Sequence, residues 1–334
     1  MSAPFVPEGD LVAPALRGFA RAHAHLVELH EDPVQLRARE RDERRVVGLV
    51  SGGGSGHEPL HAGFLGRGML DAVAPGQVFA SPHNRQVLQA SLAAAGPQGV
   101  VHIVKNYTGD RINFGIAAER LRHEGVEVGR VLVDDDLATD DAHSATGRRG
   151  TGATVVVEKI LGAAADEGRG LAELTALGAA VAAASRSLAV ASRAQTSPHT
   201  AAPAFELAPG ELEYGVGIHG ERAAKTVDRP PLPDLLARML DELLAGLPPG
   251  PDDLLVLVNG LGATTQLELY GIFDQVSGDL ERRGLNVAES LVGTYVPALD
   301  MAGFSLTLTR LHEGWRTWWR APARTPAFPS LEAR

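Results

Sequence analysis

Two histidines set among glycines are the residues of this chain best suited to chemistry. His57 follows the run Ser51-Gly-Gly-Gly-Ser-Gly56, and His219 lies between Tyr214 and Glu221 in a segment with three glycines. Glycines let the backbone approach a ligand closely, which leaves a neighbouring imidazole open to small molecules. A single histidine of this kind is more often an ordinary hydrogen-bonded loop residue. Together, the two segments indicate a site.

Lys105 and Asp110 add a cation and a carboxylate that could join such a site. They follow an apolar run at residues 100–104. If Asp110 lay near His57, the two side chains would form a pair able to orient or share a proton near neutral pH. Charges at such positions are usually solvated loop residues, and spacing alone does not bring them together.

The surrounding pattern is that of an α/β protein, in which short apolar runs alternate with longer segments of helical period. Residues 46–50, 100–104 and 128–133 are predicted strands, each followed by a polar or glycine-rich loop. Ligands bind beyond the carboxyl ends of the strands in open α/β sheets, so these loops are expected to converge. The backbone N–H groups of Gly54, Ser55 and Gly56, at a predicted helix start, are candidates for binding substrate oxygens.

The chain of 334 residues is long enough for two domains. Residues 152–165 and 171–184 are predicted helices, and the Ser-, Thr-, Ala- and Pro-rich residues 185–203 are expected to mark a boundary. The prediction is an α/β protein of two domains, residues 1–184 and 185–334, each a mainly parallel or mixed sheet flanked by helices. The second domain would carry His219 near a strand at about residues 214–218.

Composition excludes several classes of function. A formal net charge of −10 without a basic cluster argues against nucleic acid as a partner. With no cysteine, thiolate chemistry and disulfides are excluded. No run is apolar enough to span a bilayer and the first residues do not resemble a signal peptide, so we expect no membrane partner and a cytoplasmic location.

A zinc site is the main alternative for the first histidine segment. His57 and His61 satisfy the spacing His-Glu-x-x-His. Zinc binding by this motif needs both histidines one turn apart in a regular helix, whereas Pro59 and the preceding glycines favour a loop or a first turn. We therefore expect no metal in this chain.

Taken together, six segments resemble the dihydroxyacetone kinase family, specifically its ketose-binding K subunit. They are residues 51–59, 105–114, 146–150, 215–221, 258–264 and 299–305. The resemblance implies that His219 adds to the ketone carbonyl of dihydroxyacetone and holds it as a hemiaminal. It also implies that His57 is the general base for the attacking hydroxyl and Asp110 its acidic partner. Gly54, Ser55, Gly56, His57, Lys105 and Asp110 would contact the substrate.

The resemblance also implies a division of labour between subunits. In this family a separate L domain or subunit holds Mg²⁺ and the nucleotide, so Mg-ATP or Mg-ADP is expected on a partner and no cofactor in this chain. A phosphotransferase-system phosphocarrier is a further possible partner, and the K subunit is expected to be a homodimer. The reaction would belong to glycerol and glycerone metabolism.

Two segments depart from the family pattern and keep alternatives open. Residues 81–85 and 186–203 differ from what the family usually carries. One alternative is a kinase subunit for another small ketose, such as erythrulose. The other is a non-catalytic ketose sensor that acts with a transcription regulator.

Overall fold

The chain folds into two compact units, each built on its own six-stranded sheet. The computed structural model describes residues 9–139, 147–198, 200–221 and 225–329. The first unit comprises the described residues of 7–133, 154–182 and 314–334, and the second those of 134–153 and 183–313. The predicted α/β class with two domains is confirmed.

The first unit contains six strands and six helices. In chain order they are α1 (Val12–Ala22), β1 (Val27–Glu31), β2 (Val34–Ala38), β3 (Gly48–Ser55), β4 (Ala72–Val78), α2 (Asn84–Ala94), β5 (Val100–Lys105), α3 (Thr108–His123), β6 (Val128–Val133), α4 (Ala153–Asp166), α5 (Leu171–Ala183) and α8 (Glu313–Arg320). A short 3₁₀ helix, Ala62–Phe64, lies between β3 and β4.

The central strands of the first sheet are parallel and completely covered. The strand order is β1-β2-β4-β3-β5-β6, with β3 parallel to both β4 and β5, and β5 parallel to β6. Every residue of β3 and β5 is buried, which explains the near-continuous apolar run of β5. The carboxyl ends of β3 and β5 therefore lie side by side and place Ser55 and Lys105 at one edge of the sheet.

The second unit contains the other sheet. Its elements are β7 (Ser185–Arg193), β8 (Glu211–Tyr214), β9 (Lys225–Asp228), α6 (Leu232–Gly246), β10 (Asp253–Gly260), α7 (Gln266–Arg282), β11 (Asn286–Gly293) and β12 (Ala302–Arg310), in the sheet order β11-β10-β12-β7-β8-β9. Helices α6 and α7 bury their leucine-rich faces against β10 and β12. α7 begins at a capping box between Thr265 and Glu268, as its sequence favours.

The first residues of the segment expected to mark a boundary, residues 185–203, form a strand. Residues 185–193 are β7, which lies between β12 and β8 and buries six of its nine residues. Its Ser and Ala side chains are small, and Ser185 and Ser187 hydrogen-bond to Thr309 and Thr307 on β12. Cross-strand pairing of this kind overrides a composition that is typical of a loop.

The chain passes between the units more often than the two-domain prediction of residues 1–184 and 185–334 allows. In the described residues it crosses after Val133, Ala153, Ala182 and Glu313. The crossing after Ala182 lies close to the predicted boundary. The others arise because the described residues of 134–153, which follow β6, belong to the second unit, and because the described residues after Glu313 belong to the first.

Among the described residues, no helix is both long and apolar enough to cross a membrane.

Candidate functional site

The glycine run before His57 is the end of strand β3 and not a loop. A Cβ on Gly52 would lie 2.4 Å from the carbonyl oxygen of Ala74. A Cβ on Gly54 would lie 2.7 Å from the backbone nitrogen of Ala80. Only glycine tolerates such close approach of neighbouring backbone. These glycines are therefore needed for packing at the strand end.

The helix predicted to begin at His57 does not form. All of residues 56–64 are described, and after β3 they make turns that lead to the 3₁₀ helix. The hydroxyl of Ser55 donates to the carbonyl of Gly76 at 2.7 Å, and the N–H of Gly56 donates to the Glu58 carboxylate at 2.9 and 3.1 Å. The Gly56 N–H, which was predicted to bind a substrate oxygen, is therefore engaged within the chain, and so is the Ser55 hydroxyl.

His57 is buried beside an unusual backbone conformation. Its side chain has no exposed surface, and its ring stacks on Phe79 with a centroid distance of 5.1 Å. Phe79 has a φ of 56°, in the left-handed region that bulky residues rarely adopt. Strained residues of this kind cluster at ligand sites. The structure therefore holds the His57 ring in a fixed place at the end of β3.

Lys105 and Asp110 lie at the end of the neighbouring strand. Lys105 is the last residue of β5 and Asp110 is in the first turn of α3, and both are at most 3% exposed. The Asp110 Oδ1 atom has no hydrogen-bond partner among the described residues. Its charge favours the protonated form of Lys105, so the two side chains act on each other.

His61 completes this group, although the sequence analysis considered it only as a zinc ligand. Its Nε2 atom lies 2.7 Å from Nζ of Lys105, and its Nδ1 atom lies 2.6 Å from Oε1 of Glu158 on α4. The hydroxyl of Ser51 is 3.0 Å from the same Nδ1. Both ring nitrogens are thus used in a way that differs from the zinc hypothesis. In the described part of the chain, no three side chains that ligate metals meet.

Burial dominates the electrostatics of this cluster. It lowers the pKa of Lys105 against the opposing effect of Asp110 and Glu158, and it raises the pKa of Glu158 to about 8. The pKa of His61 is held well below its usual value by burial, and further by the charges of Lys105 and His57. The structure therefore brings His57, Lys105 and Asp110 into one electrostatic group through His61 in the first unit.

His219 belongs to the second unit, where it lies in a turn. The strand predicted at about residues 214–218 ends at Tyr214, so the turn begins earlier than expected. Its Nδ1 atom is 3.0 Å from Oε1 of Glu221, and its backbone N–H donates to Oε2 of the same carboxylate at 3.0 Å. Gln195 donates to the His219 carbonyl at 2.8 Å. The side chain keeps 18% of its surface exposed. Glu221 therefore fixes the orientation of a reachable imidazole.

Arg149 supports this turn from the side. Its guanidinium lies 2.7 Å from the Asp136 carboxylate and 3.8 Å from that of Glu221, and it donates to the Gly215 carbonyl at 3.2 Å. Burial alone would raise the pKa of Glu221, but the hydrogen bond from His219 and the charge of Arg149 lower it to about 2. Glu221 is thus a carboxylate at neutral pH.

The two segments that depart from the family pattern have structural roles. His83 caps α2, because its Nδ1 accepts the N–H of Arg85 while Gln86 accepts the N–H of His83. Gln195, in the second segment, holds the His219 turn as described above. Neither observation by itself indicates a different ligand.

The fold and these side chains define a small-molecule-binding α/β protein, with polar groups gathered at strand ends in one unit and an oriented histidine in the other. The model of the Dak1 domain family matches residues 17–327. The chain is 38% identical, over 96% of both sequences, to the dihydroxyacetone-binding subunit DhaK of the PEP-dependent dihydroxyacetone kinase of Escherichia coli. It therefore belongs to the dihydroxyacetone kinase family, where it matches the K subunit.

Solved structures agree with this assignment. The dihydroxyacetone kinase operon co-activator Dha-DhaQ superposes with a TM-score of 0.90 at 32% identity, over 98% of this chain and all of that one. The dihydroxyacetone kinase of C. freundii superposes with a TM-score of 0.86 at 37% identity, over 96% of this chain and 59% of that one.

Proposed function

We propose that this chain is the dihydroxyacetone-binding subunit of a dihydroxyacetone kinase, a phosphotransferase that acts on a ketose hydroxyl. The observation that carries the proposal is the 3.0 Å contact between Nδ1 of His219 and Oε1 of Glu221. A carboxylate at Nδ1 favours the tautomer with its proton on that atom, so the reactive lone pair is on Nε2. The near full-length match to a named dihydroxyacetone-binding subunit supports the choice of ligand.

The proposed anchor is a covalent bond between His219 and the ketone carbon. Nε2 adds to the carbonyl carbon, and the C=O π electrons move to oxygen. That oxygen takes a proton from water while Glu221 accepts the Nδ1 proton of the ring, so the hemiaminal forms with a neutral ring. The ring gains positive charge during addition, which the Glu221 carboxylate stabilises. Glycerol has no carbonyl and cannot be anchored in this way. A three-carbon ligand offers little surface, so a covalent anchor supplies fixation that contacts alone would not.

In the first unit, His57 is proposed to remove the proton of the attacking hydroxyl, with Asp110 as its acidic partner. Asp110 Oδ1 is a buried acceptor without a partner among the described residues, which fits a role in holding that hydroxyl. Lys105 would bind a substrate oxygen. Gly54 would let the ligand approach the strand end, and the backbone N–H of Ser55 is a proposed donor to a substrate oxygen. The Gly56 N–H already donates to Glu58.

The phosphoryl donor is proposed to come from a separate L subunit that holds Mg²⁺ with ATP or ADP. The described residues of this chain offer no cluster that fits a metal ion. A C. freundii kinase structure contains AMP-PNP and Mg²⁺, and this chain corresponds to 59% of that one. A phosphotransferase-system phosphocarrier would recharge a bound ADP, in keeping with the PEP-dependent E. coli relative. We also propose a homodimer and a cytoplasmic location.

Titration of the protein with dihydroxyacetone labelled with ¹³C at the carbonyl carbon tests the anchor without the partner. We expect a new signal in the region of tetrahedral carbon, which His219→Asn abolishes because asparagine keeps a donor for Glu221 but has no nucleophilic ring nitrogen. His312→Asn, in the same unit, is the control and should leave the signal in place. Persistence of the signal in His219→Asn would reject the anchor.

A second test addresses turnover. With an L subunit, Mg²⁺ and a phosphoryl donor, the chain should convert dihydroxyacetone to its phosphate. A panel that includes erythrulose decides whether another ketose is preferred. The alternative of a ketose-sensing coregulator is favoured by the similarity to the co-activator Dha-DhaQ. Ligand anchoring without turnover, together with co-purification of a DNA-binding protein, would support the sensor.

A further inference from the structure

Three buried side chains of the first unit form a continuous hydrogen-bonded row. Lys105 at the end of β5 contacts Nε2 of His61 at 2.7 Å, and Nδ1 of His61 contacts Oε1 of Glu158 on α4 at 2.6 Å. Their exposed fractions are 1%, 4% and 0%. The row is therefore closed to solvent along its whole length.

The identity of the atoms fixes the direction of each hydrogen bond when Lys105 is charged. An ammonium can only donate, so Nε2 of His61 accepts. Nδ1 then carries the ring proton and donates to Glu158. The hydroxyl of Ser51 donates to the Ile103 carbonyl at 2.8 Å and turns a lone pair toward Nδ1, which agrees with the same tautomer. When Glu158 is ionised, the row is therefore ammonium, neutral imidazole and carboxylate.

The row satisfies only part of the hydrogen-bonding capacity of the Lys105 ammonium. Among the described residues, His61 is the one hydrogen-bond acceptor of the Lys105 ammonium, which has three N–H donors. A Cβ on Gly53 would lie 2.3 Å from Nζ, so the head is pressed against the glycine strand end. Buried donors are nearly always satisfied, and two unused donors at this place point to ligand oxygens. Lys159, also buried, instead donates to the Trp318 carbonyl at 2.7 Å.

We infer that His61 and Glu158 are positioning residues for Lys105: His61 fixes the ammonium in place, and Glu158 fixes the tautomer of His61 and supplies the countercharge. This inference rests on the proposed function, in which Lys105 binds an oxygen of the ketose. Neither residue needs to touch the ligand. The arrangement resembles a carboxylate that orients a histidine in other sites, except that the histidine here orients a lysine.

The groups that act on Lys105 set the pH range in which it is charged. They are His61, which contacts the ammonium, and the carboxyl groups of Asp110 and Glu158, while His57 acts on His61. Burial lowers the pKa of Lys105 and raises that of Glu158, so the two titrations are coupled. Ionised Glu158 retains the proton on Lys105. A neutral residue at position 158 should therefore let Lys105 lose its proton at lower pH.

The chain contains only three lysines, Lys105, Lys159 and Lys225, so the titration of Lys105 can be measured separately from the others. We would label the lysine Cε atoms of the full chain with ¹³C and follow the three signals against pH. In Glu158→Gln, which keeps the shape of the side chain, the Lys105 midpoint should fall by about one pH unit, the effect of one nearby charge. The exposed Lys225 should not move. An unchanged Lys105 midpoint would overturn the inference.

His102→Gln is the matched control, because His102 is a buried histidine on the same strand that bonds to Ser91 Oγ at 2.8 Å. It should leave the Lys105 midpoint in place even if the protein loses stability. If Glu158→Gln does not fold, His61→Gln takes its place and should also lower the midpoint. A positioning role would be rejected if the variant that folds, Glu158→Gln or His61→Gln, left the Lys105 midpoint unchanged. It would also be rejected if His102→Gln lowered the midpoint by the same amount.

Ligand binding separates this inference from the proposed function. In the dihydroxyacetone titration, Glu158→Gln should bind about tenfold more weakly, with the difference growing as pH rises. If the unaltered protein does not bind dihydroxyacetone, the proposed function fails and the lysine titration alone decides the role of the row. If it binds and Glu158→Gln binds equally at every pH, the inference fails while the function stands.

Discussion

A Cβ added to Gly53 would lie 2.3 Å from Nζ of Lys105 and 3.4 Å from Nε2 of His61. No side chain fits at this distance, so the strand end and the lysine head are matched to each other. The glycine run beside His57 therefore does more than turn the chain: one glycine makes room for a buried ammonium.

Gly53→Ala is expected to displace the Lys105 head and impair ligand binding more than folding, because the clashing atom is the end of a flexible side chain. Gly54→Ala should impair both, since its Cβ would meet the backbone of Phe79 and Ala80 within 2.8 Å. Urea unfolding and dihydroxyacetone titration measure the two effects. Gly18→Ala is the control: Gly18 is exposed within α1 with open space around it, and alanine should stabilise by about 0.5–1 kcal/mol. Equal effects of Gly53→Ala and Gly54→Ala on stability would contradict this account.

Asp110→Asn should reduce turnover by about 100-fold or more, the usual contribution of an acid–base group, with a smaller effect on ligand affinity. Stability should change little, because Oδ1 has no hydrogen bond to lose among the described residues. Steady-state kinetics with the L subunit and thermal unfolding provide the two readouts. Glu119→Gln, an exposed carboxylate on the same helix, should behave as the unaltered protein. Full turnover in Asp110→Asn would remove Asp110 from the mechanism.

Glu221→Gln should weaken the dihydroxyacetone anchor by about tenfold, since glutamine can accept from Nδ1 of His219 but cannot stabilise positive charge on the ring. It should also change acid stability. The pKa of Glu221 is lowered from 4.5 to about 2, so its stabilising effect is complete above about 4.5 and is lost as pH falls toward 2. Unfolding midpoints between pH 5 and pH 2 should depend less on pH in the variant than in Glu281→Gln, an exposed control in the same unit.

Lys159→Met should remove a pH-dependent part of stability at alkaline pH. Burial lowers the pKa of Lys159 from 10.5 to about 8. The unfolded chain thus binds more protons between these values, and the contribution of Lys159 to stability rises with pH through this window. Methionine has no such titration and similar length, so the part of the slope that Lys159 contributes should disappear without a large loss of stability. Lys225→Met, at an exposed position, should keep the slope of the unaltered protein.

The local hydrophobic pattern was sufficient to predict the strands and helices that bury an apolar surface. The predicted strands at residues 100–104 and 128–133 and the predicted helices at residues 152–165 and 171–184 are confirmed, with ends shifted by at most one residue. The loop-like composition of residues 185–203 did not indicate β7, because the small side chains of this strand are stabilised by pairing with β12 and β8. Such pairing leaves no local signal.

The candidate site was likewise predictable only in part. The residue types at His57, Lys105, Asp110 and His219 were visible in the sequence, and so was the family to which they point. Their structural partners were not. Glu158 is 97 residues from His61, and Lys105 is 44 residues from it. In the helical sequence around Glu158, only a charged pair among apolar residues hinted that a carboxylate is buried there.

The sequence by itself determined the α/β class, the chemistry-bearing residues and the family. The tertiary structure alone decided which atoms meet: that the glycines end a strand, that His61 joins Lys105 to Glu158, and that Glu221 orients His219. The reason is physical. Hydrophobic period is written along the chain, whereas a buried hydrogen bond depends on where distant strands and helices pack and on which polar groups that packing leaves to satisfy one another.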